Sequence, residues 1–580
     1  MLNSTGSGES GKMANTQSAE KEQSGQPTDV VQARGERLSP VAGDWTQLAV
    51  FGAVFLVACA VFFTGLGRFP LFNPDEGLFA EPAREILDTG EWVTSLLNYV
   101  VRYTKPPLVM WAMALSYDVF GVNEFAARFV CAGSAALLVA CTYCFLARYA
   151  GTRAAVLGCG TLLVAPLFVG TARMAITDMP LSLLLSAAMM SFYRAFAERA
   201  RLWRWLAYAL VGLAVMTKGP VAVVLPAIIL FAYHLLRGSL REAFGFYKPL
   251  WGALVVGAIS IPWFAIEIAR TKGAYFQEFI MRENFQRFTG DVDSHKHGWW
   301  YHLLAMMGGY FPWSVFVPQA VYRSLRPEGS KPWLARMRDV TPGQDLCLYA
   351  TCWSMITLVF FSVSVSKLLT YTLPAFAALA ILVALEIDDA LKSRSHLRLL
   401  VPLSGLAIVY GIAGIGGPIA LHRLRNCPPD LNAILTGHVA VQCVIVLMAL
   451  ALYLARRPVA AISSFAFLTL VSSGLAGYKT LASVSDCWEG PLPDMERYAA
   501  ASSDPIIVFD MRKPGAPFYT RRQVINAADK VALQARLSAL GRAYIITRAS
   551  NRDYLSGIGG CRVVTQRGSF LLVSWRRLPA

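Results

Sequence analysis

Charge is scarce in this chain. Only 16% of its 580 residues are Asp, Glu, Lys or Arg, while 55% are hydrophobic. Soluble domains carry roughly 25% charged residues, so an ordinary cytosolic enzyme is excluded. No Walker loop, dinucleotide fingerprint, zinc-finger spacing or Ser-His-Asp arrangement is present, which removes the common nucleotide-dependent and hydrolytic classes. No internal repeat of the kind that marks many transporters is present. The 11 cysteines lack ligand spacing. Cys59, Cys131, Cys141, Cys144 and Cys443 lie inside apolar runs and read as small core residues. Cys487 and Cys561 fall in the polar C-terminal part and could pair if that part is extracytoplasmic.

Acids are the rarer sign, 37 against 53 Lys and Arg, for a net charge of +16. That excess is not a nucleic-acid footprint. The basic residues sit in short clusters between apolar spans, as the positive-inside bias expects.

What is abundant is long apolar sequence. Runs recur at about 47–66, 107–120, 125–148, 154–172, 179–197, 203–217, 219–236, 249–268, 300–321, 346–363, 368–387, 399–419, 437–455 and 459–480. A spanning helix needs roughly 20 residues. The 107–120 run is short, opens after Pro106-Pro107 and contains Asp118, so it reads as a helix lying at the interface. Lys218-Gly219-Pro220 divides two neighbouring spans. The expectation is a polytopic α-helical membrane protein with about 13 transmembrane helices and interfacial helices in the first outer loop. With a cytoplasmic N-terminus and a non-crossing 107–120 run, every cytoplasmic turn carries at least two basic residues, Arg148/Arg153 and Arg456/Arg457 among them.

Residues 1–44 are rich in Ser, Gly, Gln and Glu without apolar period and read as a disordered tail. Met1 to Gly8 has the look of an added leader, with Met13 as an alternative start. Residues 45–484 form the membrane domain. Residues 485–580 alternate strand patterns (Ile506 to Phe509, Tyr544 to Ile546, 562–566, 569–575) with a helical run at 530–541, the signature of a small α/β domain on the extracytoplasmic side.

This topology places Asp75-Glu76, Lys105, the Arg173 to Asp178 turn, Lys218, the 269–299 loop and Ser366-Lys367 at one membrane surface. Ionisable groups at helix ends around a common cavity are site candidates. Asp75-Glu76 follows Pro74 and opens a short helical pattern, so a solvated N-terminal position is the competing reading. For Asp178, ahead of Met179-Pro180, a helix cap competes equally.

These motifs carry a resemblance. Pro74-Asp75-Glu76 with Phe79-Ala80-Glu81, Gly90-Glu91-Trp92, Lys105-Pro106, Phe125-Ala126-Ala127-Arg128, Ala175-Ile176-Thr177-Asp178-Met179-Pro180, Met216-Thr217-Lys218-Gly219, Gln286-Arg287-Phe288 and Ser366-Lys367-Leu368-Leu369-Thr370-Tyr371 resemble polyprenyl-phosphate-dependent glycosyltransferases of GT-C type. The likeness is closer to the lipid A aminoarabinose transferases than to the protein mannosyltransferases. It departs at Gly77-Leu78-Phe79, where Thr-Arg-Tyr is usual, and at Thr104, where Glu is usual.

The resemblance implies transfer of 4-amino-4-deoxy-L-arabinose from undecaprenyl phosphate to a lipid A phosphate, at the periplasmic face of a Gram-negative inner membrane, by a monomer. That modification lowers surface negative charge and confers polymyxin resistance. Such chemistry needs cations for the departing lipid phosphate. Lys105, Arg270 and Lys367 are the first candidates, with Tyr371 as hydroxyl donor and Lys218 as a further cation. Asp75, Asp178 and Glu76 are the catalytic carboxylates. A phosphate acceptor is already anionic, so Asp75 would position groups or engage the sugar amine; a Ser/Thr acceptor would make it a general base. His295 with Glu283 has the makings of a divalent-cation site, Zn or Mg, against the plainer reading of solvated loop residues. The rivals are a related glycosyltransferase with another acceptor, of the protein O-mannosyltransferase kind, and a lipid transporter or flippase.

Overall fold

The computed structural model describes residues 45–290, 297–326, 332–393, 396–422 and 429–578. Among these, nine helices are long and apolar enough to cross a membrane, or ten if the bent pair Thr152–Val164 and Pro166–Ala172 is one span. The 70° bend falls where Pro166 opens the second helix, since proline supplies no amide donor to continue the first. Three of the thirteen expected runs fall outside that set. Arg201–Lys218 and Val221–Arg237 are shorter or more amphipathic helices. The 300–321 run breaks into Tyr301–Gly309, a 3-10 turn and Val317–Ser324, with Gly308-Gly309 and Pro312 at the break.

The chain runs up and down between two ends of the bundle. Helix Glu124–Ala150 starts beside the first loop, where the Asn123 side chain accepts from the Ala126 amide at 2.9 Å. Its last turn lies about 40 Å away at 1.5 Å per residue. That far end carries the basic turns, paired as Arg237 with Asp345 at 2.8 Å and Arg398 with Glu386 at 2.9 Å. The near end gathers residues 64–123. Helix Leu108–Phe120 has 13 residues, about 20 Å of length, too little for a hydrocarbon core of about 30 Å. It lies instead on helix Gly77–Thr89, with the Tyr117 hydroxyl donating to the Ala80 carbonyl at 3.1 Å. The middle of the bundle is tight because helix Phe376–Ser393 buries Ala377, Ala378, Ala380 and Ala384 completely, and small side chains let backbones approach.

The first loop carries a short hairpin of β1 (Leu96–Leu97) and β2 (Val100–Val101). The C-terminal part holds a five-stranded sheet of β3 (Ile506–Phe509), β4 (Ile525–Ala527), β5 (Arg542–Arg548), β6 (Cys561–Arg567) and β7 (Phe570–Arg576), in the order β4-β3-β5-β7-β6. Strand β3 lies parallel to β4 and β5, and β7 lies antiparallel to β5 and β6. A mixed sheet follows from helix Lys530–Ala539 crossing between parallel strands, then a hairpin at the end. This unit sits on the near end. Asn73 accepts from the Gly515 amide at 2.7 Å, and a Cβ on Gly77 would lie 2.4 Å from the Gly515 nitrogen. Glycine at 77 is therefore what lets the two backbones touch. Cys487 and Cys561, the candidate pair, are both free thiols.

Candidate active site

Two adjacent acids of the first loop have opposite fates. Glu76 is fully buried and held by Arg128 through two hydrogen bonds of 2.7 and 2.6 Å. It also accepts from the amides of Ala175 at 2.7 Å and Phe72 at 2.8 Å. Arg128 in turn donates to the carbonyls of Leu66, Phe69 and Pro70. With its oxygens so engaged, Glu76 ties the first loop to helix Glu124–Ala150 and to the turn that ends in Asp178. Asp75, one residue earlier, stays exposed beside that knot.

Asp178 opens helix Asp178–Ala197, and Lys218 closes helix Arg201–Lys218. These helices pack antiparallel, so residues 40 positions apart meet: Lys218 Nζ lies 2.7 Å from Asp178 Oδ1. The Thr370 hydroxyl also bonds Asp178. Lys218 rests 4.7 Å over the Tyr371 ring, a cation–π contact that holds the ammonium without neutralising it. Gly219 follows at φ +87, and a Cβ there would strike Phe279 at 2.8 Å.

Phe279 belongs to the π-helix Phe276–Gln286, which occupies much of the expected 269–299 loop. Wide turns of this kind are frequent at functional sites. Here the turn delivers Glu283 between two cations, Lys105 Nζ at 3.3 Å and an Arg287 nitrogen at 2.9 Å. Arg287 reaches on to the Ser366 hydroxyl at 3.4 Å. Lys105 is within electrostatic reach of Lys218, Arg287 and Arg102 as well as Glu283. Burial pushes its ammonium down to about 8, with Glu283 pulling the other way. Arg102, partly buried over the Phe79 ring at 5.2 Å, is pushed down to about 10 by the same desolvation. Four cations thus converge on two acids, Asp178 and Glu283, at the near end of the bundle. That excess of positive charge suits an anionic ligand.

Other candidates lie at the margin. Arg270 is half exposed and pairs with Glu91 at 2.9 Å, fastening the 90–95 segment to helix Pro249–Arg270. Burial pushes the Lys367 ammonium down, and it donates to the carbonyls of Ser362 and Ser364 in its own loop. Tyr371 lies in the cluster through Lys218. His295 lies outside the described residues, and no group of three or more potential metal ligands occurs among those described. Glu283, the other half of the expected metal pair, already faces two cations, so its surroundings oppose a third. Residue-by-residue reading missed Arg102, and it quoted Thr370 within Ser366-Lys367-Leu368-Leu369-Thr370-Tyr371 without giving it a role. It quoted Arg287 in Gln286-Arg287-Phe288 without giving it a role.

Comparison with known proteins bears on this geometry. Residues 104–265 match the family model for dolichyl-phosphate-mannose-protein mannosyltransferase. An undecaprenyl phosphate-alpha-4-amino-4-deoxy-L-arabinose arabinosyl transferase of Edwardsiella ictaluri is 32% identical over 435 residues, 72% of this chain and 74% of that protein. The Shewanella sediminis protein of the same name is 30% identical over 60% of this chain, and the match spans only 61% of its own length. The crystal structure of ArnT from Cupriavidus metallidurans bound to undecaprenyl phosphate superposes with a TM-score of 0.76 at 25% identity, covering 92% of this chain and 98% of that one. The GT-C architecture is thereby established, and the chain belongs to the undecaprenyl phosphate-alpha-4-amino-4-deoxy-L-arabinose arabinosyl transferase family.

Proposed function

We propose that this protein transfers 4-amino-4-deoxy-L-arabinose from undecaprenyl phosphate to a phosphate of lipid A. On this reading residues 45–484 are the membrane enzyme, residues 485–580 a periplasmic unit, and the near end of the bundle faces the periplasm of a Gram-negative cell. The observation that carries it is the convergence of Lys105, Lys218, Arg287 and Arg102 beside the Asp75 loop. A lipid phosphate bound there would be held by Lys105, Arg287 and Lys218 as the bond from the anomeric carbon to its phosphate oxygen breaks. Glu283 occupies the place between two of these cations until the donor arrives. The acceptor phosphate oxygen then attacks the anomeric carbon, and undecaprenyl phosphate leaves. That oxygen is already anionic, so no strong base is required. Asp75, exposed and next to the Glu76 anchor, positions the sugar and its amine; Asp178 sets the Lys218 ammonium. Glu76 acts on the site through Arg128 and the Ala175 turn, as a positioning residue.

Mass spectrometry of lipid A from a deletion strain tests the reading. Complementation with the wild-type gene is expected to add an aminopentose and restore polymyxin survival, and Asp75→Ala to do neither while reaching the membrane at normal level. A second reading, transfer to a protein hydroxyl, draws on the mannosyltransferase family match. It predicts unchanged lipid A and altered glycoproteins in the same strains.

A further inference from the structure

Beside the cation cluster lies a separate cleft of about 670 Å³. The first loop supplies one wall with Leu78, Leu97 and Val100, and the segment after β3 supplies the other with Asp510, Met511 and Arg512. Two clamps fix the walls relative to one another. Asn98 exchanges two 2.8 Å hydrogen bonds with the Val524 backbone, and Asn73 bonds Gly515 and Glu489. The cleft is thus built between segments remote in the chain.

Its charges are uneven. Lys513 is neutralised by Glu489 at 2.8 Å, and Asp510 accepts from the Asn551 amide at 3.1 Å. Arg512 is exposed, and no carboxylate pairs with it among the described residues. Arg102 donates to the Leu78 carbonyl on the opposite wall and lies close enough to Arg512 for the two charges to oppose each other. A guanidinium pair of this kind is relieved by an anion, and its planar donors fit phosphate oxygens. Arg102 also senses Glu283, so it stands where the cleft meets the cation cluster. Exposed Val100 and partly exposed Leu97 give the opening an apolar lip.

We propose that this cleft docks the acceptor, a phosphorylated amphipathic glycolipid whose anionic group sits between Arg512 and Arg102. Leu78 lines the cleft three residues beyond Asp75, so the docked phosphate is presented to the reacting end of the donor. The assignment rests on the glycosyl-transfer reading above for the identity of the acceptor, and its test separates the two.

Full-length protein in nanodiscs is titrated with lipid A, with dephosphorylated lipid A, and with undecaprenyl phosphate, and transfer kinetics are measured alongside. Arg512→Glu is expected to weaken lipid A binding by about tenfold or more while undecaprenyl phosphate binds as before. Arg512→Lys recovers much of the loss, and dephosphorylated lipid A does not distinguish the variants. Arg512 is exposed, so these variants keep the wild-type unfolding midpoint. Unaltered lipid A binding in Arg512→Glu overturns the proposal, as does an equal loss of undecaprenyl phosphate binding. Arg512-dependent lipid A binding without any transfer sinks the glycosyl-transfer reading and leaves the cleft standing. Transfer with an acceptor KM indifferent to Arg512 does the reverse.

Discussion

Lys105 makes binding of the lipid phosphate depend on pH in a direction that can be worked out. Its ammonium titrates at about 8 in the free protein, held down by burial. The charged form is the one that attracts phosphate, so affinity is full well below 8 and declines as pH rises through it. About nine-tenths of the side chain is charged at pH 7 and about one-tenth at pH 9. Binding that requires the charge therefore weakens about tenfold over that interval, some 1.4 kcal/mol. The ligand must not titrate over the same range, so the probe is the methyl diester of undecaprenyl phosphate, whose one acidic proton is lost far below pH 7. Its dissociation constant is measured in nanodiscs at fixed ionic strength from pH 6.5 to 9.5. Lys105→Arg stays charged throughout and is expected to flatten the profile. Lys105→Ala is expected to bind weakly at every pH. A flat wild-type profile, or a decline that survives in Lys105→Arg, refutes the role given to Lys105.

Arg128→Ala leaves Glu76 buried without its cation, which should cost about 3–5 kcal/mol of stability and lower the unfolding midpoint in detergent; an unchanged midpoint would mean the pair anchors nothing. Gly77→Ala places a methyl group 2.4 Å from the Gly515 nitrogen, so the C-terminal unit should lift from the first loop and become sensitive to protease. Retained protease resistance would show that the contact tolerates a side chain. Glu283→Gln removes the carboxylate lying between Lys105 and Arg287, and undecaprenyl phosphate should bind several-fold tighter. Weaker binding would assign Glu283 to orienting the cations instead of holding their place.

Some of this could be read from the chain because the responsible forces act locally. An apolar run of membrane length is helical wherever it lies, since no other backbone arrangement satisfies its amides in lipid. The spans at 125–148 and 346–363 were legible for that reason. So was the non-crossing helix at 108–120, too short and interrupted by Asp118. The broken stretch at 301–324 was harder, because hydropathy averages over Gly308-Gly309 and Pro312. Local alternation also marked Ile506–Phe509 and Arg542–Arg548 as strands, but their order in the sheet depends on pairing partners that no local pattern states.

The sequence by itself determined that this is a helical membrane protein with a small α/β appendage, and that its ionisable residues crowd toward helix ends, because burying charge in lipid is prohibitive. Only the tertiary structure decided what each charge does. Asp75 and Glu76 are neighbours of similar chemistry, yet antiparallel packing brings Arg128 and Ala175 to one of them and leaves the other exposed. Lys105 acquires its lowered proton affinity from burial first and then from Lys218, Arg287 and Arg102, with Glu283 opposing them, and most of these groups arrive from distant segments. Electrostatics falls off with distance in space and takes no account of distance along the chain, so the site exists only once the bundle has closed.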